Sequence, residues 1–154
     1  ALPILENIIS ALPVALSEKS GVGEFFLSSL EVGSAAHSLN APISEGIEYI
    51  PKSRHAVIVI SGNDLIELYN IPMPNYLKID VDGHELDVLI GMDKILKSTS
   101  LKSIIIEISE RMSQGRVEKL LLQHSFALQS KELIYESEMG NIFGGYTEIS
   151  WATP

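Results

Sequence analysis

The side chains best able to do chemistry lie together in the run Lys78-Ile79-Asp80-Val81-Asp82-Gly83-His84-Glu85. The residues from Tyr76 onward alternate between apolar and polar, which predicts a β-strand whose polar side chains share one face. A charged pair on a buried strand costs free energy unless the charges are paired or used for function. Asp80 is therefore a candidate catalytic group, and Lys78 is a candidate partner for its charge.

The elements around this run predict an α/β fold. Strands and helices alternate in the second half of the chain: strand 76–81, helix 84–96, strand 102–108 and helix 113–124. This succession is typical of a doubly wound sheet, and Ile104-Ile105-Ile106 predicts a central parallel strand covered on both faces. In such sheets ligands bind beyond the carboxyl ends of the strands, where Asp80 and Asp82 would lie.

Shorter elements are predicted on either side of this core. They are a strand ending at 13–16 that forms an antiparallel ribbon with strand 23–27, strand 57–60, helix 65–69, and a closing hairpin of strands 126–135 and 145–152. A long polar loop, 28–55, lies between them with one weak strand at 47–50, and loops of this length inside a domain are often functional.

The turn after the predicted strand 76–81 has a structural interpretation as well as a catalytic one. Asp82 and Glu85 have the spacing of a capping box, in which Asp82 accepts a backbone N–H of the first helical turn and Glu85 bonds back to the cap. Gly83 suits the turn itself, and His84 suits an exposed first helical turn as well as a ligand contact. Asp80 is not needed at a helix start, which favours a functional role for it.

Two kinds of site carry Asp-x-Asp after a strand, but their sequence patterns match this run poorly. A calcium loop needs further oxygen ligands at fixed offsets, but the apolar helix from Leu86 follows directly. A phosphatase of the haloacid-dehalogenase type has a nucleophilic Asp, a second Asp and usually Gly-Thr. Here His84 replaces the Thr and no later acidic pair is present for magnesium. The phosphatase remains an alternative.

The third chemistry comes from a resemblance. The stretch from Pro74 to Glu85, followed by Val88-Leu89-Ile90-Gly91 and by Ile104-Ile105-Ile106-Glu107, resembles the FkbM-type methyltransferases. Their pattern here is Lys-Ile-Asp-Val-(Glu/Asp)-Gly-x-Glu, then Leu and Gly, then a strand ending in Glu. The segment Pro13-Val14-Ala15-Leu16-Ser17, with Gly23 and Phe25, also looks similar to this family. The resemblance extends from about Ile8 to Phe126.

The resemblance implies methyl transfer from S-adenosylmethionine, typically to a hydroxyl of a small acceptor such as a sugar, on a Rossmann-like sheet. The strands ending at Val81 and Ile108 would be the fourth and fifth, and the final hairpin the sixth and seventh. The implied catalytic residues are Asp80, Lys78, Asp82 and His84. Ala15, Leu16 and Asp80 would contact the cofactor, and His37, Glu85 and Glu107 the acceptor. No metal is expected, because alignment of the reactants carries most of this chemistry.

The front of the chain departs from the family. Neither the Gly-rich turn after a first strand nor the acidic residue after a second strand is found, so roughly 60 residues of two strand–helix units are missing. The chain also starts with Ala rather than Met. These features predict a single partial domain over 1–154 that holds strands 3 to 7, lacks the N-terminal cofactor-loop half and binds S-adenosylmethionine weakly or not at all. A truncated, non-catalytic interaction domain is a further alternative.

The composition excludes several classes of binding partner and site. The 154 residues carry a net charge of −9, which argues against nucleic acid because phosphate binding needs clustered Lys and Arg. Cysteine is absent, so neither a disulfide framework nor a thiolate metal site is possible. No apolar run reaches the length of a membrane span. A cytoplasmic location is the default expectation, and the sequence does not indicate an oligomeric state.

Overall fold

A computed structural model of the chain describes residues 9–44, 46–109, 115–139 and 142–153. Strands and a few helices alternate along it, which confirms a mixed α/β protein. The strands are β1 (Ala15–Leu16), β2 (Gly21–Leu27), β3 (Ser38–Leu39), β4 (Ile43–Ser44), β5 (Ile47–Glu48), β6 (Ser53–Ile60), β7 (Tyr76–Ile79), β8 (Ser103–Ser109), β9 (Ala127–Met139) and β10 (Ile142–Ala152). The helices are α1 (Gly62–Tyr69), α2 (Glu85–Ile90), α3 (Asp93–Leu96) and α4 (Arg116–Gln123).

The first half of the chain forms a mixed sheet in the order β1-β6-β2-β3. Strand β6 runs parallel to β1 through Val59 and Ile60, and it pairs antiparallel with β2 from Ser53 to Val59. The predicted ribbon between 13–16 and 23–27 is therefore wrong. The apolar end of β6 offers two free edges, so β1 and β2 each pair with β6 and not with one another.

The predicted polar loop 28–55 contains regular structure. Strand β3 pairs antiparallel with β2. Strands β4 and β5 pair antiparallel with each other, and β6 already begins at Ser53. The Tyr49 hydroxyl ties this segment down, because it donates to Phe26 O at 2.8 Å and lies 2.7 Å from Ser38 Oγ. Side-chain hydrogen bonds such as these order a polar segment that lacks an apolar pattern.

The second half forms a sheet in the order β7-β8-β10-β9. Strand β7 is parallel to β8, whereas β10 is antiparallel to both β8 and β9. The predicted final hairpin is present, with β10 inside the sheet and β9 at its edge. Residues 140–141, which lie between the two predicted strands, are outside the described residues.

The predicted helix 84–96 is wrong, because it is divided into α2 and α3 at Gly91 and Met92. A Cβ built on Gly91 would lie 2.2 Å from Ser17 O, so the chain packs against this turn too closely for any side chain. Asn63 stabilises the break by donating its N–H to Gly91 O at 2.9 Å and by accepting the Lys94 N–H at 3.1 Å. The break therefore joins the second half of the chain to the start of α1.

The main core lies on one face of the second sheet. Ile104 and Ile106 are fully buried in it, whereas Ile105, which points to the opposite face, is 37% exposed. The expectation that β8 is covered on both faces is therefore wrong for the described part of the chain. Leu16 and Ile66 pack against the same core, so both sheets share it.

Candidate active site

The turn between β7 and α2 sets the direction of the acidic side chains. Strand β7 ends at Ile79, two residues earlier than predicted, and Asp80 and Val81 already belong to the turn. Asp82 and Gly83 both have positive φ, 49° and 99°. Asp tolerates this conformation at some cost and Gly adopts it freely. The two left-handed residues turn the chain sharply between Asp80 and the start of α2.

The Asp82 carboxylate is held by a distant part of the chain. Its Oδ2 accepts the backbone N–H of Ala36 at 3.1 Å, and Ala36 itself has a φ of 61°. Left-handed residues other than glycine cost free energy and are found where the surroundings hold them in place. Asp82 therefore points toward the segment before β3 and does not cap α2 as a capping box would require.

Glu85 stabilises the same turn through a hydrogen bond from a buried position. It is 2% exposed, and its Oε1 accepts the Gly83 N–H at 2.8 Å, while His84 occupies the N-cap position of α2 without a side-chain cap bond. Burial raises the pKa of Glu85, and the hydrogen bonds from Gly83 and from its own backbone only partly oppose this shift. Glu85 thus fixes the conformation of Gly83 from a buried position.

His84 bridges the turn and strand β3. Its Nε2 lies 3.5 Å from the Leu39 N–H, which is a long hydrogen bond, and its Nδ1 lies 3.5 Å from Asp87 Oδ2. The hydrogen bond from His84 lowers the pKa of Asp87 in spite of that residue's partial burial. A ring that accepts at Nε2 carries its proton on Nδ1.

His37 is held by its own loop. Nδ1 accepts the Ser28 N–H at 3.2 Å, and Nε2 lies 3.3 Å from Ser34 Oγ. The ring meets Phe25 edge to face, with the ring centres 5.9 Å apart and the planes at 73°. His37 and Phe25 are therefore in direct ring contact.

The side chains of His37, Asp82 and His84 line one cavity of about 490 Å³. It brings together five of the residues predicted from the sequence: Ala15, Leu16, His37, Asp82 and His84. The remaining lining residues are Val14, Phe25, Ser34, Ala35, Leu39 and Val81. The wall is thus mainly apolar, with a few polar groups that converge on it, as in many small-molecule sites.

The other predicted site residues lie outside this cavity. Asp80 and Lys78 are both about half exposed and form an ion pair of 3.1 Å, as their spacing suggests. Glu85 is buried beneath the turn. Glu107 lies on β8, one residue past the position of Ile106, which pairs with Ile79 of β7.

Sequence reasoning missed Phe25 and Leu39 as lining residues. They are direct cross-strand partners in β2 and β3, so their side chains share the cavity face. Strand β3 has only two residues, so its pattern could not be read. By contrast, Val14 and Val81 could have been found, because each adjoins a predicted residue.

A larger open cleft of about 710 Å³ lies at the other end of β8. Its residues include Lys102, which precedes β8, and His124, which lies 3.1 Å from Asp93 Oδ1. Ligands of open α/β sheets bind at the carboxyl ends of the strands. The smaller cavity at the carboxyl end of β7 is therefore the candidate site, despite the cleft's greater size.

A family model for the methyltransferase FkbM domain matches residues 7–136. The chain belongs to the FkbM methyltransferase family. The chain is 39% identical over 74 residues to the hexuronic acid methyltransferase AglP of Haloferax volcanii. This match covers 48% of the chain and 30% of AglP, so the chain spans less than a third of that relative in the match. No solved structure matches the chain.

No helix in the described part of the chain is both long and apolar enough to span a bilayer. No three His, Asp or Glu side chains in the described part are grouped as metal ligands. The phosphatase alternative gains no support, because the family match is to a methyltransferase.

Proposed function

We propose that this chain takes part in S-adenosylmethionine-dependent methyl transfer to a hydroxyl of a sugar or another small acceptor. The observation that carries the proposal is the convergence of Ala15, Leu16, His37, Asp82 and His84 on one cavity. These residues were predicted separately for the cofactor, the acceptor and the chemistry. They come from the β1 end, the segment before β3 and the turn after β7.

The cavity fits part of the cofactor. Val14, Ala15 and Leu16 offer an apolar surface for the adenine, and the Asp82 and Asp80 carboxylates suit a neighbouring positive sulfonium. In the described part, Ser61 alone connects β6 to α1, which begins at Gly62, and the connection from β7 to α2 contains Gly83 as its single glycine, so neither is Gly-rich. The 154 residues therefore supply the methyl end of the site and bind S-adenosylmethionine weakly by themselves.

The residues of the chain would act by positioning the acceptor and taking its proton. When bound, the cofactor would supply an electrophilic methyl group to the acceptor oxygen, and its sulfur would keep the electron pair of the carbon–sulfur bond. The hydroxyl proton passes to Asp82, which the Ala36 N–H keeps aimed at the cavity. His37 and His84 orient the acceptor.

The remaining predicted residues take supporting roles in this proposal. Asp80, at the carboxyl end of β7 and paired with Lys78, faces the sulfonium side. Glu85 acts through Gly83 by holding the turn. Glu107 stays a candidate acceptor contact on β8. In the family's sheet, β7 and β8 would be the fourth and fifth strands, and β9 and β10 the sixth and seventh.

The sugar acceptor is supported by the relative AglP, whose name specifies a hexuronic acid. Its identity to this chain extends over 30% of its own length, so its acceptor is a guide to the substrate class and no more. A cytoplasmic location stays part of the proposal.

The test is transfer of a labelled methyl group from S-adenosylmethionine by the natural full-length protein that contains this chain. A panel of sugar glycosides serves as acceptors, and release of phosphate from p-nitrophenyl phosphate is measured in parallel. Methyl transfer that Asp82→Asn abolishes supports the proposal. Phosphate release without methyl transfer would support the phosphatase. The absence of both activities would support the non-catalytic alternative.

A further inference from the structure

Tyr49 does not line the candidate cavity, but it bonds to two strands that form one wall of it. Its hydroxyl donates to Phe26 O in β2 at 2.8 Å. The same hydroxyl lies 2.7 Å from Oγ of Ser38 in β3, a contact in which either group can be the donor. Phe26 and Ser38 are cross-strand partners. One side chain from the segment after β5 therefore holds two facing residues together.

The neighbouring pair of residues in these strands faces the cavity. Phe25 and Leu39 are cross-strand partners that both line it, and so does His37, which immediately precedes β3. The His37 ring is in edge-to-face contact with Phe25. Ser38 thus lies in the chain between two lining residues. A shift of Ser38 relative to β2 would displace both of them.

Strand β3 is short, and each of its ends has its own bond to β2. At the Leu39 end, the Asn40 N–H donates to Glu24 O at 2.7 Å. At the other end, the Tyr49 hydroxyl joins Ser38 to β2. Ser38 is 1% exposed, so water has little access to replace Tyr49 as a partner for its hydroxyl.

We infer that Tyr49 is a positioning residue for the acceptor. Its hydroxyl fixes β3 against β2 at Phe26 and Ser38, and it thereby places the wall that carries His37. The inference rests on the proposed function, in which His37 orients the acceptor. It adds a residue that touches neither reactant and acts through the wall of the cavity.

The two reactants should respond differently to loss of this hydroxyl. Ala15 and Leu16, which are proposed for the cofactor, lie on β1, and β1 and β3 are at opposite edges of the first sheet. A displaced β3 therefore changes the surface offered to the acceptor and leaves the surface offered to the adenine in place.

The experiment measures Tyr49→Phe, which removes the hydroxyl and keeps the ring, in the natural full-length protein. The substrates are labelled S-adenosylmethionine and the sugar glycoside that gives the highest rate of methyl transfer. We expect KM for the glycoside to rise about fivefold or more, while kcat and KM for S-adenosylmethionine stay within about twofold of wild type. A raised KM at constant kcat indicates lost binding that the ground state and the transition state share.

Two further variants separate positioning from a general effect on the fold. Tyr69→Phe is the matched control, because it removes a hydroxyl from a tyrosine that is 65% exposed on α1, and it should change neither KM. Ser38→Ala removes the other hydroxyl of the contact and should raise the glycoside KM as Tyr49→Phe does. The double variant should resemble the single ones, because residues that act as one unit are not additive.

A second measurement does not depend on turnover. The contact between the His37 and Phe25 rings should give nuclear Overhauser effects in the natural protein labelled at histidine and phenylalanine. These effects should weaken in Tyr49→Phe and persist in Tyr69→Phe. A residue that only stabilised the fold would lower the unfolding temperature without changing this contact or the glycoside KM.

The inference and the proposed function fail in different ways. If methyl transfer occurs and Tyr49→Phe leaves the glycoside KM unchanged, or Tyr69→Phe raises it equally, the inference is overturned and the proposed function stands. If the natural protein methylates no acceptor, the proposed function fails and the ring contact decides the inference. A contact that Tyr49→Phe leaves intact then overturns it, and a weakened contact supports the positioning of the wall.

Discussion

The Asp82 carboxylate accepts the backbone N–H of Ala36 at 3.1 Å, across 46 residues of sequence. Both residues have positive φ, so two strained conformations are joined directly. The bond links the turn after β7 to the loop that carries His37. This one contact therefore fixes the position of Asp82, to which the proposed function assigns proton transfer, relative to the loop to which it assigns acceptor binding.

Asp82→Asn tests the acid. Asparagine still accepts the Ala36 N–H through its side-chain oxygen, but it cannot take a proton from the acceptor. We expect methyl transfer by the natural protein to fall by about 10²- to 10⁴-fold, the range typical of a lost general base. The measurement is kcat with labelled S-adenosylmethionine, and Glu24→Gln is the matched charge control. An Asp82→Asn enzyme with unchanged kcat would rule out this role.

The turn at Gly91 offers a matched pair of glycine substitutions. A Cβ at position 91 would lie 2.2 Å from Ser17 O, whereas a Cβ at Gly21 meets nothing within 4 Å. We expect Gly91→Ala to lower the free energy of unfolding by about 1–3 kcal/mol, as overpacking does. Gly21→Ala should change it by less than about 1 kcal/mol. Urea unfolding of both variants measures this difference, and equal effects would contradict the close packing.

Glu85 predicts a pH dependence of stability. Burial raises its pKa in the folded protein, so the folded state holds this proton more tightly than the unfolded chain does. The stability that Glu85 contributes is complete below its ordinary pKa, about 4.3, and is lost as the pH rises through the raised folded value. Glu85→Gln keeps an acceptor for the Gly83 N–H but does not titrate. Its stability relative to the wild type should therefore increase with pH.

Denaturant unfolding at a series of pH values measures this difference between Glu85→Gln and the wild type. The matched control is Glu48→Gln, which changes an exposed glutamate in β5. Its stability relative to the wild type should stay nearly constant with pH. A constant difference for Glu85→Gln as well would show that burial does not perturb this carboxyl.

The tautomer of His37 can be observed directly. Because the Ser28 N–H occupies Nδ1, the proton should reside on Nε2. Nitrogen-15 NMR of the neutral imidazole should give an unprotonated Nδ1 and a protonated Nε2. A neutral ring with its proton on Nδ1 would contradict the hydrogen-bond pattern.

Binding of S-adenosylmethionine by the 154 residues should be weak. The described part has no Gly-rich strand–turn–helix, so few groups are available for the ribose and the carboxylate of the cofactor. Isothermal titration should give a dissociation constant of about 1 mM or weaker, which corresponds to roughly 4 kcal/mol of binding free energy. Micromolar affinity would overturn this expectation and indicate a complete cofactor site.

The sequence predicted the part of the site that depends on local pattern. The alternation from Tyr76 to Asp80 indicated the strand, and its polar face correctly placed Lys78 beside Asp80. The position of Asp82 was also accessible, because it follows the carboxyl end of a parallel strand. Local pattern could not reveal that its partner is Ala36, since backbone N–H groups carry no sequence signal.

The errors in the predicted fold have the same origin. The ribbon was assigned to the wrong partners because pairing depends on which edges are free, and β6 supplies two. The predicted helix 84–96 continued through Gly91 because its apolar period continues there. The close approach of Ser17 and the hydrogen bonds of Asn63 explain the break. Contacts between distant segments decided both cases, and no single segment encodes them.

The most direct test of the central claim is a crystal structure of the natural full-length protein with S-adenosylhomocysteine. The account predicts that the sulfur lies beside the turn formed by Asp80 to His84, with the adenine against Ala15 and Leu16. A ligand bound elsewhere, such as in the cleft around His124, would contradict it.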